Sequence, residues 1–284
     1  MATDPFLAGL PDPTVIEEVD FTSILADMET DIIGRYPPVA PVLALESSAT
    51  KKNLETVSYR ETIIRARVND AARANLVAFA EKGDLDHVGA NASPPVQRMA
   101  GEGDERFRVR ILLAVRSRNV GSVYRYRFVA LSTSLLVKDA IAYRVGRDPT
   151  VYVALLSTAP DGVAEPSLIA QVQAQFDIDE NRLLNSPVVV VSAVSSVVNI
   201  VAALTLIPGT PTTIIANAEA ALRAAWAIEG GLGRDMTRQW IASRLQVAGV
   251  YSVNVTSPAE DVIKPSEKAA SIGTVTLTVV GENT

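Results

Sequence analysis

Residues 50–82 read TKKNLETVSYRETIIRARVNDAARANLVAFAEK, thirty-three residues without a proline or a glycine. Thr50 offers an N-cap and Gly83 a C-terminal stop, so the stretch predicts one long helix. At 1.5 Å per residue it would run about 48 Å. Its heptad-like positions are Leu54, Val57, Glu61, Ile64, Val68, Ala71 and Asn75, closing on Ala78 and Phe79. A second edge carries Tyr59, Ile63, Ala66 and Val77. A helix apolar on more than one side demands more than one neighbour. A domain of this size is roughly 30–40 Å across, so such a helix overshoots its own body and part of both stripes is expected to meet other chains. The alternative is a helix packed wholly on its own domain, or broken into two near Asp70.

Upstream, residues 1–50 form an acidic, proline-rich arm. Nine acidic residues there face Arg35 alone. Asp20 can cap a short helix that ends near Arg35, with Ile24, Leu25, Met28 and Ile32 as its apolar stripe. The first twenty residues carry no Lys or Arg, and the basic start and apolar run of a secretory signal are both missing. Downstream, residues 91–106 read as a polar Gly/Pro linker. Beyond it helices and strands alternate. Helices are expected over 105–115, after Gly121-Ser122, after Pro166-Ser167, over 212–229 and over 236–247. Strands are expected over 137–143, 151–156, 250–256 and 273–280. The apolar stretch 187–208 approaches the length of a membrane span. Ser192, Ser195, Ser196, Asn199 and Thr205 interrupt it, and its period-two pattern predicts one long buried strand. A helix–strand–strand order occurs twice, which predicts two similar small lobes or one sheet assembled from both. The fold class is α+β: an acidic arm (1–50), a bundle-forming helix (51–90), a linker (91–106), then two α+β lobes with short mixed sheets (107–185 and 186–284), the second expected to self-associate.

The composition excludes much chemistry. The 284 residues include no cysteine and one histidine, His87, and the net charge is −6. Thiol nucleophiles, Cys-ligated zinc, iron–sulfur clusters and multi-His metal sites are ruled out. Ser48 and Lys51 have the Ser-x-x-Lys spacing of some acyl-transfer enzymes, without companion motifs. Asp177, Asp179, Glu180 and Asn181 resemble the start of a calcium loop, but Arg182 stands where that loop needs glycine and Val188 where it needs glutamate. Gly231-Leu-Gly233-Arg234 follows a helix rather than a strand, the wrong order for a phosphate cradle. His87 lies near Asp84 and Asp86, with no nucleophile recognisable beside it. No catalytic residue, cofactor or metal is expected.

One block is basic. Arg98, Arg106, Arg108, Arg110, Arg116, Arg118, Arg125 and Arg127 outnumber Glu102, Asp104 and Glu105, and Phe107, Tyr124, Tyr126 and Phe128 interleave. This admits a nucleic-acid patch. It also admits pairing with carboxylates of the acidic arm or of a neighbouring subunit, which makes Arg106, Arg108, Arg110, Arg125 and Arg127 candidates for a charged interface.

Several stretches together resemble one family, the Baseplate J-like proteins of contractile-tailed phages. They are LPDPTVIEEVDF (10–21), LES (45–47) through YRE (59–61), RARVNDAA (65–72), GDLD (83–86), VALLS (153–157) with Asp161-Gly162, LTLIPG (204–209), GRD (233–235) and VYSVNVTSP (250–258). The resemblance spans nearly the whole chain, and its specificity lies in the ordered set. It implies a structural, non-enzymatic component of the tail baseplate wedge, made in the bacterial host cytoplasm and resident in the virion tail. The implied partners are a second copy, a tail protein I-type wedge protein whose helices join the bundle, and neighbouring wedge, sheath-initiating and hub proteins. It further implies a ring that rearranges to trigger sheath contraction. Glu61 and Asn75 would then be polar register-setting positions. The competing readings are an arginine-patch nucleic-acid binder and a hydrolase using Ser48 and Lys51 or His87.

Overall fold

The computed structural model describes residues 14–211 and 213–283. The start of the acidic arm, including Asp4, Asp12 and the first residues of the 10–21 motif, lies outside them. The described residues fall into two compact units, 14–88 and 89–283.

In the first unit, α1 (Phe21–Arg35) is capped as expected. Asp20 is extended at its N-cap and its carboxylate accepts from Ser23 N at 2.8 Å. A 3-10 turn at Pro37–Val39 and a one-turn helix α2 (Ala40–Leu43) lead to α3 (Ala49–Ala74). The continuous helix expected over 50–82 is not formed. The cap is Ser48 rather than Thr50, and the helix ends at Ala74. The cause of the early end is Asn75, whose Nδ2 donates to the Ala71 carbonyl at 2.8 Å and so competes with the next helical bond. A tight turn follows, and α4 (Lys82–Ala90) restarts after it, with Gly83 inside that helix rather than ending one. The 26 residues of α3 still run about 39 Å.

The second unit holds two lobes in sequence. The first packs α5 (Asp104–Arg116), α6 (Val123–Thr133) and α7 (Pro166–Phe176) on a sheet of β1 (Val137–Tyr143), β2 (Val151–Ser157) and β3 (Val188–Ser192). β1 pairs with β2 antiparallel, and β2 with β3 parallel. Leu131, Leu155, Val172 and Phe176 fill its interior. The second lobe packs α8 (Ile214–Glu229) and α9 (Arg238–Leu245) on β4 (Val194–Leu206), β5 (Val250–Ser257) and β6 (Lys268–Glu282), in the order β5-β4-β6. Again one pair is antiparallel and one parallel. Ile200, Ala202, Leu204 and Leu222 are its core, with Trp226 edge-on to Trp240 at 4.9 Å.

The repeated order therefore corresponds to two separate mixed sheets, not one shared sheet. The long strand expected over 187–208 is two strands, broken at Ala193 and belonging to different lobes. The lobe boundary accordingly moves from 185 to Ala193. Two features reconcile the period-two pattern with the break. Ala193 N donates to the Leu155 carbonyl, still within the first sheet, and β4 then starts a new register against β6. β4 is itself irregular at Asn199, whose Oδ1 accepts from Thr274 N at 3.0 Å. Gly273 is required there, because a Cβ would lie 2.3 Å from that oxygen. Among the described residues, no helix is long and apolar enough to cross a membrane.

Candidate assembly interface

The amphipathicity of α3 is the reverse of what a self-contained helix would show. Its buried side chains are polar: Ser58 at 0% exposure and Asn69 at 7%. Ser58 Oγ lies 3.1 Å from Met28 Sδ on α1. Asn69 clamps the backbone of Glu17, accepting from its N at 3.1 Å and donating to its carbonyl at 2.8 Å. The apolar residues face outward. Val57, Ile64 and Val68 are 53%, 63% and 53% exposed, and Ala71 continues their line. Tyr59 and Ile63 on the second edge are exposed as well. Covering a Val or Ile side chain fully is worth about 1.5–3 kcal/mol, so this stripe has much to gain from a partner.

The other candidates on the helix have varied roles. Leu54 and Glu61 are half-buried, and Glu61 is tied to Arg65 at 2.5 Å. Phe79 is half-buried in the turn beyond the helix end. Asn75 is the exposed C-cap, so the buried polar positions on α3 are Ser58 and Asn69, which the heptad reading missed because they lie off that stripe.

A second unusual surface lies on the second sheet. Its inner face carries the core, and its outer face carries Asn199, Val201, Ser252, Asn254, Thr256, Thr274, Thr276 and Thr278, with Val197 beside them. Lys268 and Glu282, at the two ends of β6, are the only charged residues in the three strands, against 20% charged residues in the whole chain. Edge strands are normally protected by charge, proline or cover, and β6 has neither charge nor proline from Ala269 to Gly281.

Three members of the arginine block, Arg106, Arg108 and Arg110, are turned inward, against the expectation of a charged interface there, whereas Arg125 and Arg127 are half-buried and Arg116 and Arg118 are exposed. Arg108 and Arg110 are 7% and 4% exposed. Arg110 pairs with Glu102 at 2.5 Å and donates to Ser132 Oγ and the Gln97 carbonyl. Arg106 donates to the carbonyls of Val137, Leu131 and Ser134 at 2.6–2.9 Å, and burial lowers the pKa of its guanidinium. Arg108 binds Glu105. Arg127 pairs with Asp139 at 2.9 Å, and Arg125 donates to Asn181 Oδ1 at 2.7 Å. Arg98 lies over Phe107, 4.6 Å from the ring centroid, and bridges to Asp104 at 2.7 Å. These carboxylates belong to the same unit, not to the acidic arm. Their hub is Glu102, 5% exposed, in the stretch read as a linker, where Val96 is buried too. A glutamate flanked by glycines gave no sign of this from sequence.

Ser48, Lys51, Asp179 and Gly233 each have a structural role. Ser48 Oγ accepts from Lys51 N at 3.2 Å as the cap of α3, and Lys51 Nζ pairs with Glu46 at 2.5 Å. Asp179 binds Arg182 at 2.9 Å within a 3-10 turn. Gly233, at φ +65°, belongs to the turn after α8. Among the described residues no three His, Asp or Glu side chains converge as a metal site would.

Comparison with known proteins bears on both surfaces. The family model for the Baseplate J-like N-terminal domain matches residues 46–100, and that for the Baseplate J-like protein C-terminal domain matches residues 198–278. Baseplate protein J of Escherichia phage P2 is 36% identical to this chain over 93% of its length and 94% of the relative's. The chain belongs to the Baseplate J-like family. It is thus a structural component of a phage tail baseplate and resides there. The N-terminal Baseplate J-like match contains all of α3 with its outward apolar stripe, and the C-terminal match contains most of the uncharged sheet. Apart from Arg98, the arginine block lies between the two matches, as does all of the first sheet.

Proposed function

We propose that this Baseplate J-like protein is a wedge subunit whose α3 forms a bundle with a second copy and with a tail protein I-type partner. The observation that carries this reading is the exposed line Val57, Ile64, Val68 on a helix that buries Ser58 and Asn69. A stripe of this width is covered by other helices. The uncharged outer face and edge of the second sheet support self-association through the second lobe, since like strands meet there without charge repulsion. Wedges joined in these two ways close a ring around the hub, together with sheath-initiating proteins. The ring rearranges to release the sheath, and the protein itself carries no catalytic activity. Exposed charge pairs such as Arg35–Asp31 are individually weak, which suits interfaces that must exchange one arrangement for another.

The test is light scattering of the purified full chain alone and co-expressed with the protein encoded beside it. A mixed complex holding two copies of this chain is expected, and Ile64→Asp should abolish it. A monodisperse monomer that ignores its neighbour would overturn the reading.

A further inference from the structure

Between the two lobes of the second unit lies a cleft of about 500 Å³, within the size range of ligand sites. The end of β2 and its following loop form one wall, and β6 and α8 the other. Leu156, Trp226, Ala270 and Ile272 give it apolar sides. Ser195 Oγ on β4 and Ser271 Oγ on β6 line it, and both are buried without a hydrogen-bond partner. Ser271 is only 8% exposed. Buried hydroxyls are ordinarily satisfied, so two together at one cleft point to a missing polar group.

The charge around the cleft points the same way. Lys138, at the start of β1, lines it, and Nζ makes no hydrogen bond or ion pair among the described residues. Burial pushes its ammonium pKa down, and neighbouring Asp139 only partly opposes this. Asp139 is already committed, to Arg127 at 2.9 Å and to Ala140 N at 2.8 Å. Glu229, nearby at the end of α8, is held by Trp240 and Arg244. Arg223 adds a second cation, tied to Glu219 and to the Gly273 carbonyl. The acid on the cleft wall, Asp161, accepts from Val163 N at 3.0 Å. A half-buried cation without an ion-pair partner, beside orphaned hydroxyls and between apolar walls, fits a carboxylate on a hydrocarbon stem.

We propose that this cleft is a docking slot for an acidic, extended segment of a different baseplate protein, whose carboxylate pairs with Lys138 and accepts from the Ser195 and Ser271 hydroxyls. The inference rests on the baseplate reading above. A different protein is favoured over a second copy because four of the seven described carboxylates of this chain's own acidic stretch are engaged within their unit: Glu17 with Arg65, Asp20 with Ser23, Asp31 with Arg35 and Glu46 with Lys51.

Assembled tails treated with a water-soluble carbodiimide, which joins an amine directly to a carboxylate in contact with it, provide the test. Peptide mass spectrometry is expected to find Lys138 bridged to an Asp, Glu or C-terminus of another baseplate protein. Lys138→Arg should lose the bridge and keep assembly. Lys138→Glu should lower incorporation into tails by roughly tenfold or more, with circular dichroism of the free variant confirming that it folds. The bridge is read in the unaltered chain, so it does not depend on that variant folding. A bridge confined to Asp139 or Asp161 of the same chain, a bridge to a second copy, or Lys138 acetylated as fast in tails as in the free chain would each overturn the proposal. Tails that contain this chain but show any of those results leave the baseplate reading standing, whereas tails lacking the chain sink both.

Discussion

The two units of this chain treat apolar side chains in opposite ways. In the second unit Phe107, Phe176, Ile200, Leu204 and Leu222 are sealed inside, and even Arg108 and Arg110 are drawn in and neutralised. In the first, α3 buries Ser58 and Asn69 and presents Val57, Ile64 and Val68 to solvent. Both have the same helix-forming chemistry available. The difference is in where the apolar side chains of the long helix and of the two lobes lie: the lobes enclose theirs around a core, and α3 leaves its stripe uncovered in this chain.

The comparison breaks or sharpens under substitution. The largest effect is expected at Glu102. Glu102→Ala strands Arg106 and Arg110 in a buried site, and removing one partner of such a network costs about 3–5 kcal/mol; urea unfolding followed by circular dichroism reads it. Leu204→Ala should cost about 2–5 kcal/mol through the cavity it leaves, followed by the fluorescence of Trp226 and Trp240. Asn69→Ala should cost about 1–3 kcal/mol by unpairing the Glu17 backbone, with the loss confined to the first unit in hydrogen exchange. Ile64→Ser should change the stability of the free chain by no more than about 0.5 kcal/mol while abolishing capture of the wedge partner. If Ile64→Ser instead unfolds the free chain as Leu204→Ala does, the contrast between the units is wrong.

The smallest effect is electrostatic. Backbone and side-chain hydrogen bonds from Ser23 hold the Asp20 pKa below its ordinary 3.8. A depressed carboxylate stabilises the folded form above the unfolded value and loses that contribution as the pH falls through the folded one. Acid titration of α1 helicity should therefore show a step below about pH 3.8 that Asp20→Asn removes.

Local signals were legible where local chemistry decides. The Asp20 cap, β1 over 137–143, the Gly121-Ser122 start of α6 and the Pro166 start of α7 all follow from turn, cap and period rules. The exposed stripe of α3 was legible as an excess of apolar faces. What the sequence concealed was set by tertiary pairing. The strand over 187–208 has one unbroken pattern, and only the partners Leu155 and Lys268 show that it serves two sheets. The arginines looked like surface because no local rule says that Glu102, four residues before Arg106 and eight before Arg110, folds back beneath them. Ser195 and Ser271, at the proposed slot, come from strands that sequence could not place side by side.

Ala193 carries one further implication. A single residue, spanning at most about 3.6 Å, separates the end of β3 from the start of β4, and its N–H still bonds to the first sheet. That connection has no slack to take up. A force applied to the second lobe would pass along the backbone from β4 into β3, where it would meet the β2 ladder as shear. At this joint the lobes are wired in series, like links of a taut chain, so load reaches the first sheet before any loop can absorb it.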